Sequence, residues 1–385
     1  MPIAKSLAVL RFQRLILTCV VVLSLSLLSA RSDAEDVRRL LYVASPGVRN
    51  YEHWGGHGVL VFDMDHGHEF VRRIPLDGYG LDADGNVLNV KGICAHAETG
   101  RLFVSTLEHL ICLDLQTDQV NWQHAYDQGC DRMSVSPDGA VMYLPSLEKE
   151  VWYVIDAATG EEITRLDLGI RSHNTVCGLD GEQFYLAGLG SSELFLAKTG
   201  SHAIERTIGP FSDSIRPFTV NGSQTLVFVN VNELLGFEVG DLRTGEVLHR
   251  VEVSDDVPRG KPDRHGCPSH GIGLTPDETE LWVCDGFNSQ LHIYDATVLP
   301  PKPTTRIKLR EQPGWVTFSL DGTRAYPSTG EVIDVESKQI IARLTDEEGR
   351  EVHSEKMLEI QFENGAPVRN GDQFGLGRVR AGAGT

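Results

Sequence analysis

Side chains suited to anion binding and proton transfer recur at one position of a repeated sequence pattern. In the phrase PSHGIGLTPDETELWVCD (residues 268–285), His270 comes just before a short apolar stretch, a Pro-Asp turn and a second apolar stretch. Counting back from the turn in the other copies, with a looser alignment in two of them, gives these equivalent positions: Lys91, Asp131, His173, Arg216, Gly314 and Lys356. Converging cations bind anions through charge-assisted hydrogen bonds, and histidine is a common general base.

We predict that the six polar side chains at these positions form a ring and bind a ligand together with three sequence neighbours. The predicted ligand-binding residues are Lys91, Asp131, Arg132, His173, Asn174, Arg216, His270, Trp315 and Lys356. Such a set suits a carboxylate, sulfate or phosphate group on a small molecule or sugar. The alternative is a water-filled channel mouth, where polar side chains are common without any ligand.

The same positions offer an enzymatic alternative. His173 or His270 could act as the general base, with Arg216 or Lys91 stabilising the anion formed in a β-elimination from an acidic sugar. A lactonase that activates water on a metal would need more carboxylates than this ring contains. His173, His270 and Asp131 could offer nitrogen and oxygen ligands, but no spacing fixes their distances, so we predict no metal site and name no cofactor.

Seven aromatic-centred or apolar stretches position these residues. Their central residues are Tyr42, Phe103, Tyr143, Tyr185, Val227, Trp282 and Tyr326, and four of the six intervals between them lie between 40 and 44 residues. Turns such as SPDG precede several of them, and a second apolar stretch and a half-polar one follow. The pattern predicts an all-β seven-bladed β-propeller of four-stranded blades, with KMLEIQF (residues 356–362) closing the ring beside the N-terminal strand.

The phrase at residues 268–285 and its copies resemble the repeat of the YVTN-type (YncE-like) seven-bladed propellers, over residues 38–362. The wider superfamily is similar to the propeller chains of quinoprotein amine dehydrogenases, to the propeller of nitrous oxide reductase, and to some lactonases and polysaccharide lyases. The resemblance implies the fold and leaves the reaction open. It also allows a third function, that of a propeller subunit in a periplasmic redox complex.

Three long connections are predicted to lie on the face of the ring. They are SPGVRNYEHWGGHG (residues 45–58), DGYGLDADGNVLNVKG (residues 77–92) and SDDVPRGKPDRHGCPS (residues 254–269). Long loops gathered on one face are often functional. The first contains Tyr51, His53, Trp54 and His57, which either form an aromatic wall for a sugar or pack the loop onto the propeller.

The composition and the N-terminus indicate an exported acidic protein. The formal net charge of −19 over 385 residues disfavours nucleic acid as a partner. Residues 1–34 read as a signal peptide, with an apolar core LILTCVVVLSLSLLSA (residues 15–30) and cleavage near Ala30 or Ala34. The predicted location is secreted or periplasmic, without stable membrane insertion after cleavage, and an uncleaved anchor is the alternative.

The remaining parts of the chain are a propeller over residues 35–362 and a glycine-rich C-terminal tail over residues 363–385, which we predict to be loose. Six cysteines follow the signal, and most are predicted to be buried free thiols. Cys267 with Cys284 is the pair to test first for a disulfide.

The sequence therefore predicts an exported propeller that binds a small anionic ligand or a partner protein at the mouth of the central channel. A lyase or hydrolase acting on an acidic sugar or lactone-like substrate at the same ring is the main alternative.

Overall fold

Short apolar stretches alternate with tight turns through the chain, and each stretch forms a β-strand. The computed structural model describes residues 37–76, 81–254, 257, 260 and 264–380. The described residues form twenty-nine strands in seven sheets and two 3₁₀ helices, Met64–His66 and Ala97–Thr99. The predicted all-β seven-bladed propeller is confirmed.

The first four blades have the following strands, of which β1 and β28 come from opposite ends of the described chain. Blade 1 contains β1 (Val37–Ser45), β2 (Gly58–Asp63), β3 (Glu69–Ile74), β28 (Met357–Glu363) and β29 (Ala366–Asn370). Blade 2 contains β4 (Val90–His96), β5 (Arg101–Thr106), β6 (His109–Asp114) and β7 (Val120–Ala125). Blade 3 contains β8 (Ser134–Val135), β9 (Val141–Pro145), β10 (Val151–Asp156) and β11 (Glu162–Asp167). Blade 4 contains β12 (Ser172–Cys177), β13 (Gln183–Gly188), β14 (Leu194–Lys198) and β15 (Ala203–Ile208).

The other three blades repeat the four-stranded order. Blade 5 contains β16 (Ile215–Val220), β17 (Leu226–Val231), β18 (Gly236–Asp241) and β19 (Val247–Glu252). Blade 6 contains β20 (Ile272–Leu274), β21 (Glu280–Asp285), β22 (Gln290–Asp295) and β23 (Lys302–Lys308). Blade 7 contains β24 (Val316–Phe318), β25 (Arg324–Pro327), β26 (Glu331–Asp334) and β27 (Ile340–Arg343).

The burial of each strand explains its sequence. The second and third strands of a blade are buried on both faces against adjacent blades, so they are almost continuously apolar, as in β9 and β10. The outer strands face solvent and are mostly polar, as in β11. The SPDG turn between β8 and β9 is fixed by Asp138, whose carboxylate accepts the Ala140 N–H at 3.0 Å.

The inner strands surround a central channel. They are neighbours in the order β4, β8, β12, β16, β20, β24 and β28, and β28 contacts β4 again. Ring closure occurs in blade 1, where β28 pairs with β1 and the Ala44 N–H donates to the Lys356 carbonyl at 2.9 Å. The chain ends therefore share a blade, as the sequence predicts.

The C-terminal tail differs from the prediction, because residues 363–380 are packed against the propeller. The strand β29 turns back along β28 and makes blade 1 five-stranded instead of four-stranded. Phe374 and Leu376 are buried in one core cluster with residues of blades 4, 5 and 7. The prediction of a loose tail is wrong for these residues, because the glycines permit close packing here: a Cβ on Gly375, at φ +59°, would lie 2.9 Å from the Cα of Gly273.

The six cysteines after the predicted signal are all free thiols, and five of them are buried. The Cys267–Cys284 disulfide considered from the sequence is therefore absent, whereas the prediction of free thiols is confirmed. In the described part of the chain, no helix has the length and apolar character needed to span a membrane. The predicted signal peptide, residues 1–34, lies outside the described residues.

Candidate functional site

The predicted ring residues meet at one end of the channel. Lys91, His173, Arg216, His270 and Lys356 line a single cavity of about 290 Å³, which we call the ring cavity. Each comes from the start of an inner strand or the residues just before it, because the link from the preceding blade enters at this end. The repeat thus places equivalent residues of different blades around one space.

The other predicted residues lie at or under this cavity. Arg132 lines it, and Asp131 is fully buried beneath. Trp315 supports the cavity from below, since the guanidinium of Arg132 lies 4.4 Å from the centre of the indole ring. Asn174 is buried beside Arg132, and its side-chain oxygen and nitrogen have no hydrogen-bond partner among the described residues.

The three long connections also reach the ring cavity. Arg49 comes from the first, Asn89 from the second, and Arg264 and His265 from the third. Parts of the second and third connections, residues 77–80, 255–256, 258–259 and 261–263, lie outside the described residues. The described parts lie on the face of the ring, where the sequence places them.

Glu355 organises one half of the cavity. Its carboxylate accepts hydrogen bonds from the Arg132 guanidinium and from the Lys356 ammonium, the latter at 2.7 Å, and lies 3.1 Å from Nδ1 of His265. Burial alone would raise the pKa of Glu355, but the charge of Lys356 and the hydrogen bond from His265 hold that pKa well below its usual range. Burial lowers the pKa of Lys356 to about 7 although Glu355 opposes the shift.

Asp131 organises the other half. Its carboxylate lies 2.7 Å from Nδ1 of His173 and 3.7 Å from the Lys91 ammonium. Burial would raise the pKa of Asp131, but the nearby charge of Lys91 and the interaction with His173 lower that pKa to about 2. Burial lowers the pKa of His173 against the pull of Asp131, so the imidazole is neutral and its Nε2 accepts from Arg132 at 3.3 Å.

Positive charge exceeds negative charge at the ring cavity. Its cationic side chains are Arg49, Lys91, Arg132, Arg216, Arg264 and Lys356. Against these six stand two lining carboxylates, the buried Asp131, and Glu311, which is paired with Arg264, so two positive charges remain in excess when Lys356 is protonated, on a chain whose net charge is −19. Arg216 has no carboxylate partner among the described residues, and its Nε donates to Asn232 Oδ1 at 2.6 Å.

Two neighbouring histidines face the cavity beside Glu355. The rings of His265 and His270 have centroids 5.0 Å apart. Nδ1 of His270 lies 3.1 Å from the Gly314 carbonyl, so it carries the proton and Nε2 keeps its lone pair. Burial holds the pKa of His270 well below its usual value, and the ring is neutral near pH 7.

Among the described residues, one group could hold a metal ion. It consists of His265, His270 and Glu355, whose potential ligand atoms lie within 4.8 Å of one another. Two imidazoles and one carboxylate are a common donor set for catalytic zinc. However, Glu355 is already paired with both Arg132 and Lys356. Since a divalent cation would add to the excess of positive charge, the electrostatics of the cavity favour an anion.

The aromatic loop residues take the packing role considered from the sequence. The Trp54 indole stacks on the His353 imidazole at 4.4 Å between ring centroids, and the Arg264 guanidinium lies 4.3 Å from the indole centre. Arg264 and His353 both bind the Glu311 carboxylate. Trp54 therefore fastens the first and third connections to the propeller.

Sequence reasoning missed four contributors, namely Arg49, Arg264, His265 and the carboxylate of Glu355 as a central acceptor. Glu355 directly precedes the ring residue Lys356 in the sequence, and the other three belong to the long connections. The unusual length of those connections indicated that they were functional. Their side chains could not be placed, because loops outside the repeat cannot be aligned with another copy.

Comparisons with known proteins agree with the fold and extend no further. No protein-family model matches the sequence, and no curated protein matches it significantly. The chain is similar in structure to a chain of the mitotic checkpoint complex, with a TM-score of 0.58, 13% identity, and coverage of 70% of this chain and 77% of that one. It is also similar to the β-propeller domain of Myceliophteria thermophila Cps50 (Swd1), with a TM-score of 0.55, 10% identity, and coverage of 73% and 87%.

The molecule is thus a seven-bladed β-propeller with a charged cavity at one end of its channel. The fold suits a binding or scaffold role. The specific YVTN-type resemblance is not confirmed, because similarity at these identities extends to the fold alone.

Proposed function

We propose that this propeller binds a small anionic molecule in the ring cavity. The observation that carries the proposal is the excess of positive charge around a cavity of about 290 Å³. That volume lies just below the range of small-molecule sites, which span roughly 300 to 1,000 Å³, so a small ligand is expected. A carboxylate, phosphate or sulfate on a molecule of monosaccharide size therefore fits both the charge and the space.

Arg216 is the principal anion-binding side chain in this proposal. Asn232 holds its Nε, and no described carboxylate pairs with it, so the terminal guanidinium nitrogens are available to a ligand in the cavity that Arg216 lines. Lys91 stands three blades away on the ring and is only loosely paired with Asp131, at 3.7 Å. Planar guanidinium groups bind carboxylate and phosphate with two parallel hydrogen bonds, which gives orientation as well as affinity.

The test is a set of binding measurements by calorimetry and thermal shift with D-glucuronate, phosphate and sulfate, with neutral D-glucose as the control ligand. We expect at least one anion to bind and D-glucose not to bind. Arg216→Gln should weaken that binding at least tenfold, whereas Arg306→Gln, an exposed arginine on the outer strand β23, should leave it unchanged. Equal binding to wild type and Arg216→Gln would contradict the proposal.

A lyase or hydrolase at the same cavity is the second candidate, and the observation that favours it is the neutral His270. Its Nδ1 is fixed by the Gly314 carbonyl, and its Nε2 makes no hydrogen bond with the described residues. A neutral imidazole of this kind can accept a proton from a bound substrate. Incubation with oligogalacturonate, followed by ultraviolet absorbance of unsaturated product, tests it. Activity unchanged in His270→Ala would remove His270 from that role.

Export is proposed on the sequence of residues 1–34. When the full chain is expressed in a bacterial host, the mature protein is expected to begin at Arg31 or Glu35, after cleavage at Ala30 or Ala34. N-terminal sequencing of the extracytoplasmic fraction checks this. A mature chain that keeps residues 1–30 would favour the uncleaved anchor.

A further inference from the structure

The C-terminal segment, defined here as residues 371–378, crosses the channel beneath the ring cavity. Backbone hydrogen bonds link it to several inner strands: Gly371 N–H to Glu359 O at 2.8 Å, Leu274 N–H to Gly375 O at 2.8 Å, and Gly377 N–H to Val220 O at 3.0 Å. These partners belong to blades 1, 6 and 5. The segment therefore bridges different blades, and a pocket of about 250 Å³ lies between it and the inner strands of blades 2, 3 and 4.

Side chains of the inner strands complete this attachment. The hydroxyls of Thr317 and Thr219 donate to the carbonyls of Asp372 and Gly375, at 2.7 and 2.6 Å. The side-chain oxygen of Gln373 accepts the Ile93 N–H at 3.3 Å. Threonines at these channel positions are fully or nearly fully buried, and the segment is what satisfies their hydroxyl groups.

Two side chains, Trp315 and Arg132, connect the segment to the ring cavity. The Trp315 indole N–H donates to the Gln373 carbonyl, and its ring packs 6.0 Å from the Phe374 ring. On the cavity side, the Arg132 guanidinium stacks on the same indole, 4.4 Å from the ring centre. Arg132 in turn binds Glu355 and His173, the acceptors of the two halves of the cavity.

We propose that the C-terminal segment is the floor of the ring cavity and that it positions Trp315 and Arg132 for anion binding. This inference rests on the proposed function. Without the segment, the Trp315 N–H would lose its acceptor and water would reach the indole from the opposite end. Water near Arg132 would raise the local dielectric and weaken each charge-assisted contact above it.

The experiment compares wild type with a chain that ends at Asn370 and therefore keeps β29 but lacks the segment. Anion binding is measured by calorimetry with D-glucuronate and phosphate, and the fold is checked by circular dichroism. We expect the truncated chain to bind at least tenfold more weakly. Addition of the peptide GDQFGLGRVR (residues 371–380) is expected to restore affinity, which a general loss of stability would not allow.

Gly375→Ala tests the same point in the full-length chain, in case the truncated chain does not fold. A Cβ there would lie 2.9 Å from the Cα of Gly273 at a backbone φ of +59°, so the segment must move. Gly200→Ala is the matched control, because a Cβ at Gly200 meets nothing within 4 Å. We expect weaker anion binding in Gly375→Ala only.

Trp315→Phe separates positioning from packing, since phenylalanine keeps an aromatic ring under Arg132 but cannot donate to Gln373. We expect several-fold weaker binding, whereas Trp122→Phe, on the outer strand β7, should bind as wild type does. If wild type binds an anion and both the truncated chain and Gly375→Ala bind it equally well, the inference fails and the proposed function stands. If wild type binds none of the anions, the proposed function itself fails, and the inference with it.

Discussion

The two ends of the channel are built from different kinds of interaction. At the ring end, charged side chains surround a cavity and are held by two buried carboxylates, Asp131 and Glu355. At the other end, the C-terminal segment spans part of the channel with backbone hydrogen bonds and the buried side chains of Phe374 and Leu376, beside a pocket of about 250 Å³. Both ends contain a pocket of similar volume, but charged side chains organise the ring end, and backbone hydrogen bonds and apolar packing organise the other.

The difference teaches where a ligand can bind in a propeller of this kind. Charged side chains around a cavity have donor groups that remain free to bind a ligand. The backbone groups of the packed segment are already hydrogen-bonded to the inner strands. Variants at the two ends should therefore respond to different conditions. Ring-end variants should change stability and affinity in a pH-dependent way, whereas variants in the packed segment should lower stability and weaken anion binding without adding a pH dependence.

The largest expected effect is at the ring end. Glu355→Gln leaves the buried Arg132 and Lys356 without their shared carboxylate, and breaking a buried ion pair costs about 3 to 5 kcal/mol. Glu162→Gln removes an exposed partner of Arg165 and should cost about 0 to 1 kcal/mol. Chemical denaturation of both variants measures the free energy of unfolding. If Glu355→Gln lowered the free energy of unfolding as little as Glu162→Gln does, Glu355 would not be the carboxylate that holds Arg132 and Lys356 in place.

Phe374→Ala is the matching change at the packed end. The ring is 3% exposed, and removal of a buried phenylalanine side chain costs about 3 to 5 kcal/mol, here toward the lower value because the segment can shift. The loss should be the same at pH 5 and pH 8, since no ionised group is removed. Phe195→Ala, at a half-buried position in β14, should cost less in the same denaturation experiment. A marked pH dependence of the Phe374→Ala effect would contradict packing as the main role of this end.

Acid should weaken the ring end through Asp131. Its pKa is lowered to about 2 in the folded protein, from an ordinary value of 3.8. The stabilisation, about 2 kcal/mol by linkage, is fully present above pH 4 and is lost as the pH falls toward 2. The free energy of unfolding of wild type should therefore fall more steeply over that window than that of Asp131→Asn. Parallel curves would show that Asp131 does not carry this stabilisation.

The smallest expected effect is on affinity near neutral pH. Burial lowers the pKa of Lys356 to about 7, with Glu355 opposing and Arg132 and Lys91 adding to the shift. The lysine is protonated below that pH and neutral above it, so anion binding should be several-fold tighter at pH 6 than at pH 8.5. Calorimetry with D-glucuronate measures it, and Lys356→Met should flatten the dependence. Equal wild-type affinity at both pH values would exclude Lys356 as an anion-binding charge.

The repeat explains how much of this could be predicted from the sequence. Tyr143, Trp282 and the other strand centres recur at a regular spacing, so the seven blades and the ring closure by β28 follow from the pattern. The same spacing aligned His173 with His270 and brought them to one cavity. A residue inside a repeat can be placed in the fold because the equivalent residue of every other copy occupies the same position in its blade.

Residues outside the repeat could not be placed in this way. His265 reaches Glu355 from a long connection whose path has no copy elsewhere in the chain. Gly375 and Gly377 suggested a loose tail, since glycine commonly marks mobile chain. In the folded protein their lack of a side chain permits close contact with Gly273 and Leu274, a tertiary effect that composition does not reveal.

The strand β28 makes the completion of blade 1 depend on both ends of the chain. Six blades can form from strands that follow one another in sequence, but in blade 1 the Ser354 hydroxyl meets the Ala44 carbonyl across 310 residues. Contacts that distant are formed late, because the chain must first lose the entropy of a very large loop. The ring cavity takes Arg49 from one end of that loop and Lys356 from the other, so we expect the cavity to be complete only after blade 1 has closed.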